Sequence, residues 1–282
     1  MTNSVNILVA VPRDEASRYH KNLSTNKDFS LQIVSDKNDA LDTLENHDRH
    51  TDILVIDNRL GGVFDLIGDV RHSYPRLFII LVDEEADFGL PGQADEISTE
   101  PFDNNDLEKR ITRLMSDRQL ETLRADSLPA VRDFAKQLRK ATGEYGKQQA
   151  TVTACMDMDY DYVAFYRLES QAPLRITLKA QDGPPNVQSM APKQASPSDI
   201  IASVAQSGHS RIGGPDDEPT HVLVKHGQMG AVVCVPVMVS GNRYGVLVAC
   251  RQAANAISQE NVLMLELISS QLAAAVSKEI IR

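Results

Sequence analysis

The feature that most constrains this chain is a change of rhythm partway along it. Through the first 116 residues short continuous apolar runs recur, at Ile7 to Val11, Leu31 to Val34, Ile53 to Ile56 and Phe78 to Val82. Each has the length of a strand buried on both faces. Between and after them lie helix-like stretches, Glu15 to Ser24, Asn38 to Glu45, Phe64 to Ser73 and Asp106 to Met115. Parallel strands need crossover connections, usually helices, so this alternation predicts a doubly wound α/β parallel sheet over residues 1–116. Ligands on such a sheet sit at the C-terminal ends of its strands.

The rhythm then changes. Residues 117–127 are polar and helix-forming, and predict a helical linker with Asp126 or Ser127 capping a second helix that starts at Leu128-Pro129. In that helix Leu128, Val131, Ala135, Leu138 and Tyr145 fall at three- and four-residue steps, with Thr142 filling the gap. From Tyr162 onward strands follow one another: Tyr162 to Leu168, Leu174 to Ala180, Val222 to Lys225, Gly230 to Val239 and Tyr244 to Arg251. Glu169 to Pro173 and Ser240-Gly241-Asn242 read as hairpin turns, so residues 128–282 are expected to be an α+β domain with an antiparallel sheet. Asp182 to Ser198 is the most loop-like segment, and Ser258 caps a final helix striped with Leu265, Ile268, Leu272 and Ala275.

At 282 residues and 42% hydrophobic the chain can bury two cores. A net charge of −10 without a basic stripe repels a phosphate backbone and predicts no nucleic-acid partner. No apolar run approaches the ~20 residues of a membrane span, and the polar start has no secretion signal, which predicts a cytoplasmic location. Cys155, Cys234 and Cys250 are odd in number and set in apolar strings, as core residues in a reducing compartment are. No phosphate-cradling glycine loop, nucleophile elbow, metalloprotease helix or kinase signature is present, so no catalytic residue, metal or cofactor is expected.

Asp52-Ile-Leu-Val-Ile-Asp57-Asn-Arg-Leu-Gly-Gly62 resembles the receiver domains of two-component response regulators, and Ala94-Asp-Glu-Ile-Ser-Thr-Glu-Pro-Phe102 resembles their last-strand motif. The resemblance covers about residues 5 to 116 and implies a flavodoxin-like fold with Asp57 as the phosphoacceptor equivalent. The family's chemistry needs an acidic pair for Mg²⁺, a hydroxyl and a Lys beside the phosphoryl group. Here the matching places hold Val11 and Pro12, Val82 and Glu100, with Asp14 and Glu15 displaced from the acidic pair. Two unit charges ~4 Å apart interact by roughly 4 kcal/mol at an intermediate dielectric, so Glu in place of Lys is severe for an anionic group. The expectation is a pseudo-receiver.

Gly230-Ala-Val-Val-Cys-Val-Pro-Val-Met-Val-Ser-Gly-Asn-Arg-Tyr-Gly-Val-Leu-Val-Ala249 resembles the hairpin of the GAF family, Ile200 to Gly208 its helix and turn before the pocket loop, and Ile257 to Ala275 its closing helix. The match spans about residues 128 to 280 and implies a six-stranded-type sheet. Family members bind cyclic nucleotides, haem, bilins or metabolites, or only dimerise; the cyclic-nucleotide signature and a bilin-type Cys beside His are not found. His209, Arg211, His221 and His226 fall where the pocket roof would lie, and read either as cations for an anionic ligand or as solvated loop residues. His221 and His226 lack zinc-site spacing. GAF-type methionine sulfoxide reductases also carry three Cys, but Cys234 and Cys250 lie in apolar strings that suppress the thiolate.

Three readings of function stand at this point. The first is a non-catalytic bacterial-type signalling adaptor that contacts other signalling proteins and dimerises through the helices beginning at Leu128 and Ser258. The second is a sensor of an unidentified small molecule in a GAF pocket, and the third a phosphorylation switch at Asp57. Because the sequence ends at Arg282 just after the terminal helix, output is expected to run through another chain.

Overall fold

The computed structural model describes residues 4–45, 50–86, 93–125, 128–239 and 241–280. Contacts divide the chain into two units, residues 1–121 and 122–282. The dividing point lies inside a helix, because the stretch expected to end at Met115 continues unbroken as α4 (Asp106–Ala125) through most of the polar 117–127 segment. The caps expected at Asp126 and Ser127 lie outside the described residues.

In the first unit the apolar runs are strands: β1 (Val5–Ala10), β2 (Phe29–Val34), β3 (Ile53–Asp57) and β4 (Phe78–Val82). A short β5 (Glu96–Ser98) completes a parallel sheet of order β2-β1-β3-β4-β5, the flavodoxin-like doubly wound order. Alternate strand residues feed two cores. Leu54 and Ile56 face α2 (Lys37–Glu45) and α3 (Val63–Ser73). Ile53 and Val55 face α1 (Ala16–Leu23) and the buried Leu107, Ile111 and Leu114 of α4. β3 is buried along its whole length, so its last residue, Asp57, is carried into the interior with it.

In the second unit the single helix expected from Leu128 to Tyr145 is two. α5 (Pro129–Lys140) ends where Ala141 turns extended, and α6 (Gly143–Met156) starts at Gly143, whose φ of +69° suits glycine. Val131, Phe134 and Leu138 are buried, whereas Leu128 and Tyr145, expected on the same stripe, are exposed. β6 (Tyr162–Gln171), β7 (Leu174–Asp182), β9 (Ala231–Val239) and β10 (Asn242–Arg251) form an antiparallel sheet with a short β8 (Arg211–Gly213), in the order β7-β6-β10-β9-β8. Five strands are described, where the family resemblance implied six. Ser240 of the expected hairpin turn lies outside the described residues. Val222–Lys225, expected as a strand, is the short helix α9. The loop-like Asp182 to Ser198 contains α7 (Pro185–Met190), and α8 (Ile200–Ser207) follows it.

α10 (Gln259–Ile280) is capped as expected: Ser258 Oγ accepts from the Asn261 amide, and Asn261 Oδ1 accepts from the Ser258 amide. α5, α6 and α10 cover one face of this sheet, and α7, α8 and α9 cover the other. A bulge in β10 at Arg243/Gly245 brings Gly245 so close to β6 that a Cβ there would lie 2.4 Å from the Tyr166 carbonyl oxygen. Among the described residues no helix is long and apolar enough to cross a membrane.

Candidate functional site

Two clusters of buried polar groups stand out among the described residues, one in each unit, and the first lies at the kind of strand end where a doubly wound sheet places ligands. The first is at the C-terminal end of β3. Asp57 is 1% exposed and caps a single 3-10 turn over Asn58–Leu60, its Oδ1 accepting from the Arg59 amide at 3.0 Å. The turn throws Arg59 back over the carboxylate it started from. Arg59 Nε donates to Oδ1 at 3.0 Å and Nη2 to Oδ2 at 2.7 Å, a bidentate pair. The Tyr19 hydroxyl donates to Oδ2 at 2.7 Å, and Arg59 Nη1 reaches Glu15 at 3.0 Å. Phe102, from the last-strand motif, packs edge-on against Tyr19 with ring centroids 4.9 Å apart, and Arg18 lies 3.8 Å over the Phe102 ring. Both carboxylate oxygens of Asp57 are therefore engaged. Burial alone pushes its carboxyl upward, but hydrogen bonds from Arg59 and then Tyr19 outweigh it and hold the group below its ordinary value.

The other residues singled out around this strand end do not converge on Asp57. Val11 is buried in the core at the end of β1, and Pro12 follows it. Val82 is buried in register beside Asp57. Glu100 is exposed in the turn after β5, where its carbonyl accepts from the Asp103 amide. The charge facing Asp57 is thus Arg59, a cation two residues away, rather than Glu100. Asp14 is exposed, while Glu15 is drawn in by Arg59. Among the described residues no three His, Cys, Asp or Glu side chains gather as a metal site requires.

The second cluster lies on the α8 side of the antiparallel sheet. His209, Arg211 and His221 are buried rather than solvated; only His226, at the end of α9, is exposed. Arg211 opens β8 opposite Cys234 and donates from Nη1 to Ser203 Oγ of α8 at 2.9 Å. His221 caps α9, its Nδ1 accepting from the Leu223 amide at 3.1 Å. Its proton is therefore on Nε2, a buried donor with no hydrogen-bond partner among the described residues. Burial pushes its pKa down to about 4, so it is neutral at physiological pH.

Asp199, which the sequence reading passed over, sits in the same cluster. It caps α8 by accepting from the Ile201 amide at 2.8 Å and also takes a backbone hydrogen bond from Val222, the first residue of α9. Burial pushes its pKa up to about 6, against those two hydrogen bonds. Asp199 and Arg211 both act electrostatically on Cys234. The expected cationic roof is accordingly Arg211, two buried histidines of which His221 is neutral, and one buried acid, Asp199. Cys155, Cys234 and Cys250 are all free and buried, and burial raises each thiol above its ordinary value.

Residues 148–277 match the family model of the GAF domain, so the second unit contains a GAF domain. Among solved structures, the chain is similar to the GAF domain of an Acinetobacter phosphoenolpyruvate-protein phosphotransferase, at 19% identity over 58% of this chain and 96% of that one, with a TM-score of 0.46. It is similar to the free methionine-R-sulfoxide reductase of Neisseria meningitidis, solved with its substrate, at 16% identity over 52% and 87% of the two chains, TM-score 0.46. It is also similar to the phycocyanobilin-bound GAF domain of a cyanobacterial phytochrome, at 16% identity over 54% and 94%, TM-score 0.43. No curated protein matches the chain.

Proposed function

We propose that the chain is a non-catalytic signalling protein acting through contact with other proteins, with residues 1–116 a pseudo-receiver and the GAF domain a sensory module. The observation that carries this reading is the engagement of Asp57. A phosphoacceptor must present a free carboxylate oxygen for in-line attack, with a metal ion alongside. Here Arg59 and Tyr19 hold both oxygens, and the places matching the acidic pair are Val11 and Pro12. Burial of all three thiols supports the absence of cysteine chemistry. Incubation with acetyl phosphate and Mg²⁺ should leave the intact mass unchanged; a stoichiometric gain that disappears in Asp57→Ala overturns the reading.

A second reading, a small-molecule sensor, is favoured by the unpartnered His221 Nε2–H in the buried cluster. Burying a donor without an acceptor costs about 1–3 kcal/mol, which a ligand oxygen would return. Native mass spectrometry of protein purified from its own cell should then show a bound small molecule. The apo mass alone counts against it.

A further inference from the structure

On the sheet face opposite α8, the helices α5, α6 and α10 leave a groove of about 630 Å³ between them. Its origin is local. α5 stops at Lys140, the chain turns through Ala141 and Thr142, and the space beside Gly143 is open. Across from this break α10 presents Ala274 and Ala275, with Ala135 and Leu138 of α5 completing an apolar floor. The rims are cationic. Arg139 and Lys278 are exposed and have no carboxylate partner among the described residues, whereas the third cation, Lys147, is paired with Glu279. α5 as a whole carries Arg132, Lys136, Arg139 and Lys140 against a single acid, Asp133.

We propose that this groove docks an acidic amphipathic helix of a partner protein, with its apolar stripe on the alanine floor and its carboxylates against Arg139 and Lys278. The proposal rests on the reading of the chain as a contact protein, and names the chemistry of what it contacts. Small floor side chains let a helix backbone approach closely, and an amphipathic helix in a helical groove is a recurrent recognition mode. Charge decides between occupants. A second copy meeting this face about a twofold axis would set the same cationic patch, Arg139 and Lys278 included, against itself, and like charges across an interface disfavour that pairing. An acidic helix supplies the missing counter-charge.

The test is a fluorescence-anisotropy titration of the full chain with two labelled synthetic amphipathic peptides. They share one apolar stripe and carry Glu or Lys at their polar positions. The Glu peptide should bind saturably, at least about tenfold more tightly than the Lys peptide, and more weakly as salt rises. Arg139→Glu/Lys278→Glu, checked for folding by circular dichroism, should invert that preference. Arg132→Glu, a charge change on α5 outside the groove lining, should not. Equal binding of the two peptides, no binding of the Glu peptide, or an equal loss in Arg132→Glu overturns the proposal. So does light scattering that shows a dimer competing with the peptide, which would assign the groove to a second copy. Acetyl phosphate treatment of the same preparation reports on Asp57 independently, so failure here is separable from failure of the pseudo-receiver reading.

Discussion

Replacing Arg59 by Ala isolates the contact on which the pseudo-receiver reading rests. The variant keeps the residue-59 amide and the Tyr19 hydroxyl on Asp57 but loses the bidentate guanidinium bonds at 3.0 and 2.7 Å. Breaking a fully buried pair costs about 3–5 kcal/mol and an exposed pair roughly 0–1. Asp57 is buried but the Arg59 side chain is 46% exposed, which places the loss near 2 kcal/mol after solvent screening. For a unit of this size that lowers its Tm by about 8 °C at pH 7.5. The pH dependence has a definite sign. In the parent protein the folded carboxyl is held below its unfolded value, so its stabilisation is present above about pH 4 and fades as pH falls through the folded pKa. In Arg59→Ala burial persists without the guanidinium, and the carboxyl rises. The deficit should therefore be largest at pH 7.5 and shrink towards pH 4, where the variant's raised carboxyl takes up a proton and sheds its stranded charge while the parent's, held low by Arg59, stays ionised. Arg59→Ala/Asp57→Asn, which removes the stranded charge, should recover part of the loss. Calorimetry at the two pH values, with the transition assigned by hydrogen exchange of the β3 amides, measures this. A deficit that is the same at both, or a double variant no more stable than the single, refutes the argument.

Asp199→Asn keeps a capping side chain but removes a carboxyl that burial pushes up to about 6 from 3.8. A raised folded pKa gives stability that is present below about pH 4 and lost as pH rises through 6. Asn should therefore stabilise the second unit by up to about 3 kcal/mol at pH 7.5, with the gain vanishing at pH 4 by chemical denaturation; a loss at pH 7.5 would show that the charge itself is needed. None of the three buried cysteines should react with a thiol reagent in the native protein, and all three should react in denaturant; rapid native labelling of Cys234 or Cys250 would reopen thiol chemistry.

How far the sequence reveals this molecule depends on how local each determinant is. β1 to β4 were legible because a central parallel strand is apolar along its length, as Ile53-Leu-Val-Ile56 is. Val222–Lys225 was misread because an apolar string that short carries no periodicity; its helix is set by the His221 cap. The α5–α6 break was hidden by a stripe that continues in register across it, although Gly143 marked the spot. At the sites, Asp57 was visible from its strand end, whereas its fate was not. Arg59 acts through a turn that Asp57 itself caps, and Tyr19 arrives from another element. An Asp-x-Arg triplet at a strand end was the available signal, as Asp199 before Ile200-Ile201 was for the α8 cap. The burial of His209, Arg211 and His221 depends on tertiary partners such as Ser203 and Cys234, to which sequence spacing gives no access.

The shared carboxylate of Asp199 ties two segments that are twenty-odd residues apart in the chain. Asp199 is the cap of α8 and moves with it, so lifting α8 from the sheet withdraws the carboxylate from the Val222 amide that opens α9, whereas lifting α9 leaves the α8 cap in place. The coupling runs one way: opening of α8 removes a partner from the start of α9, while α9 can fray with α8 still capped. A disturbance that begins at α8 is therefore passed on to α9, and one that begins at α9 can stop there.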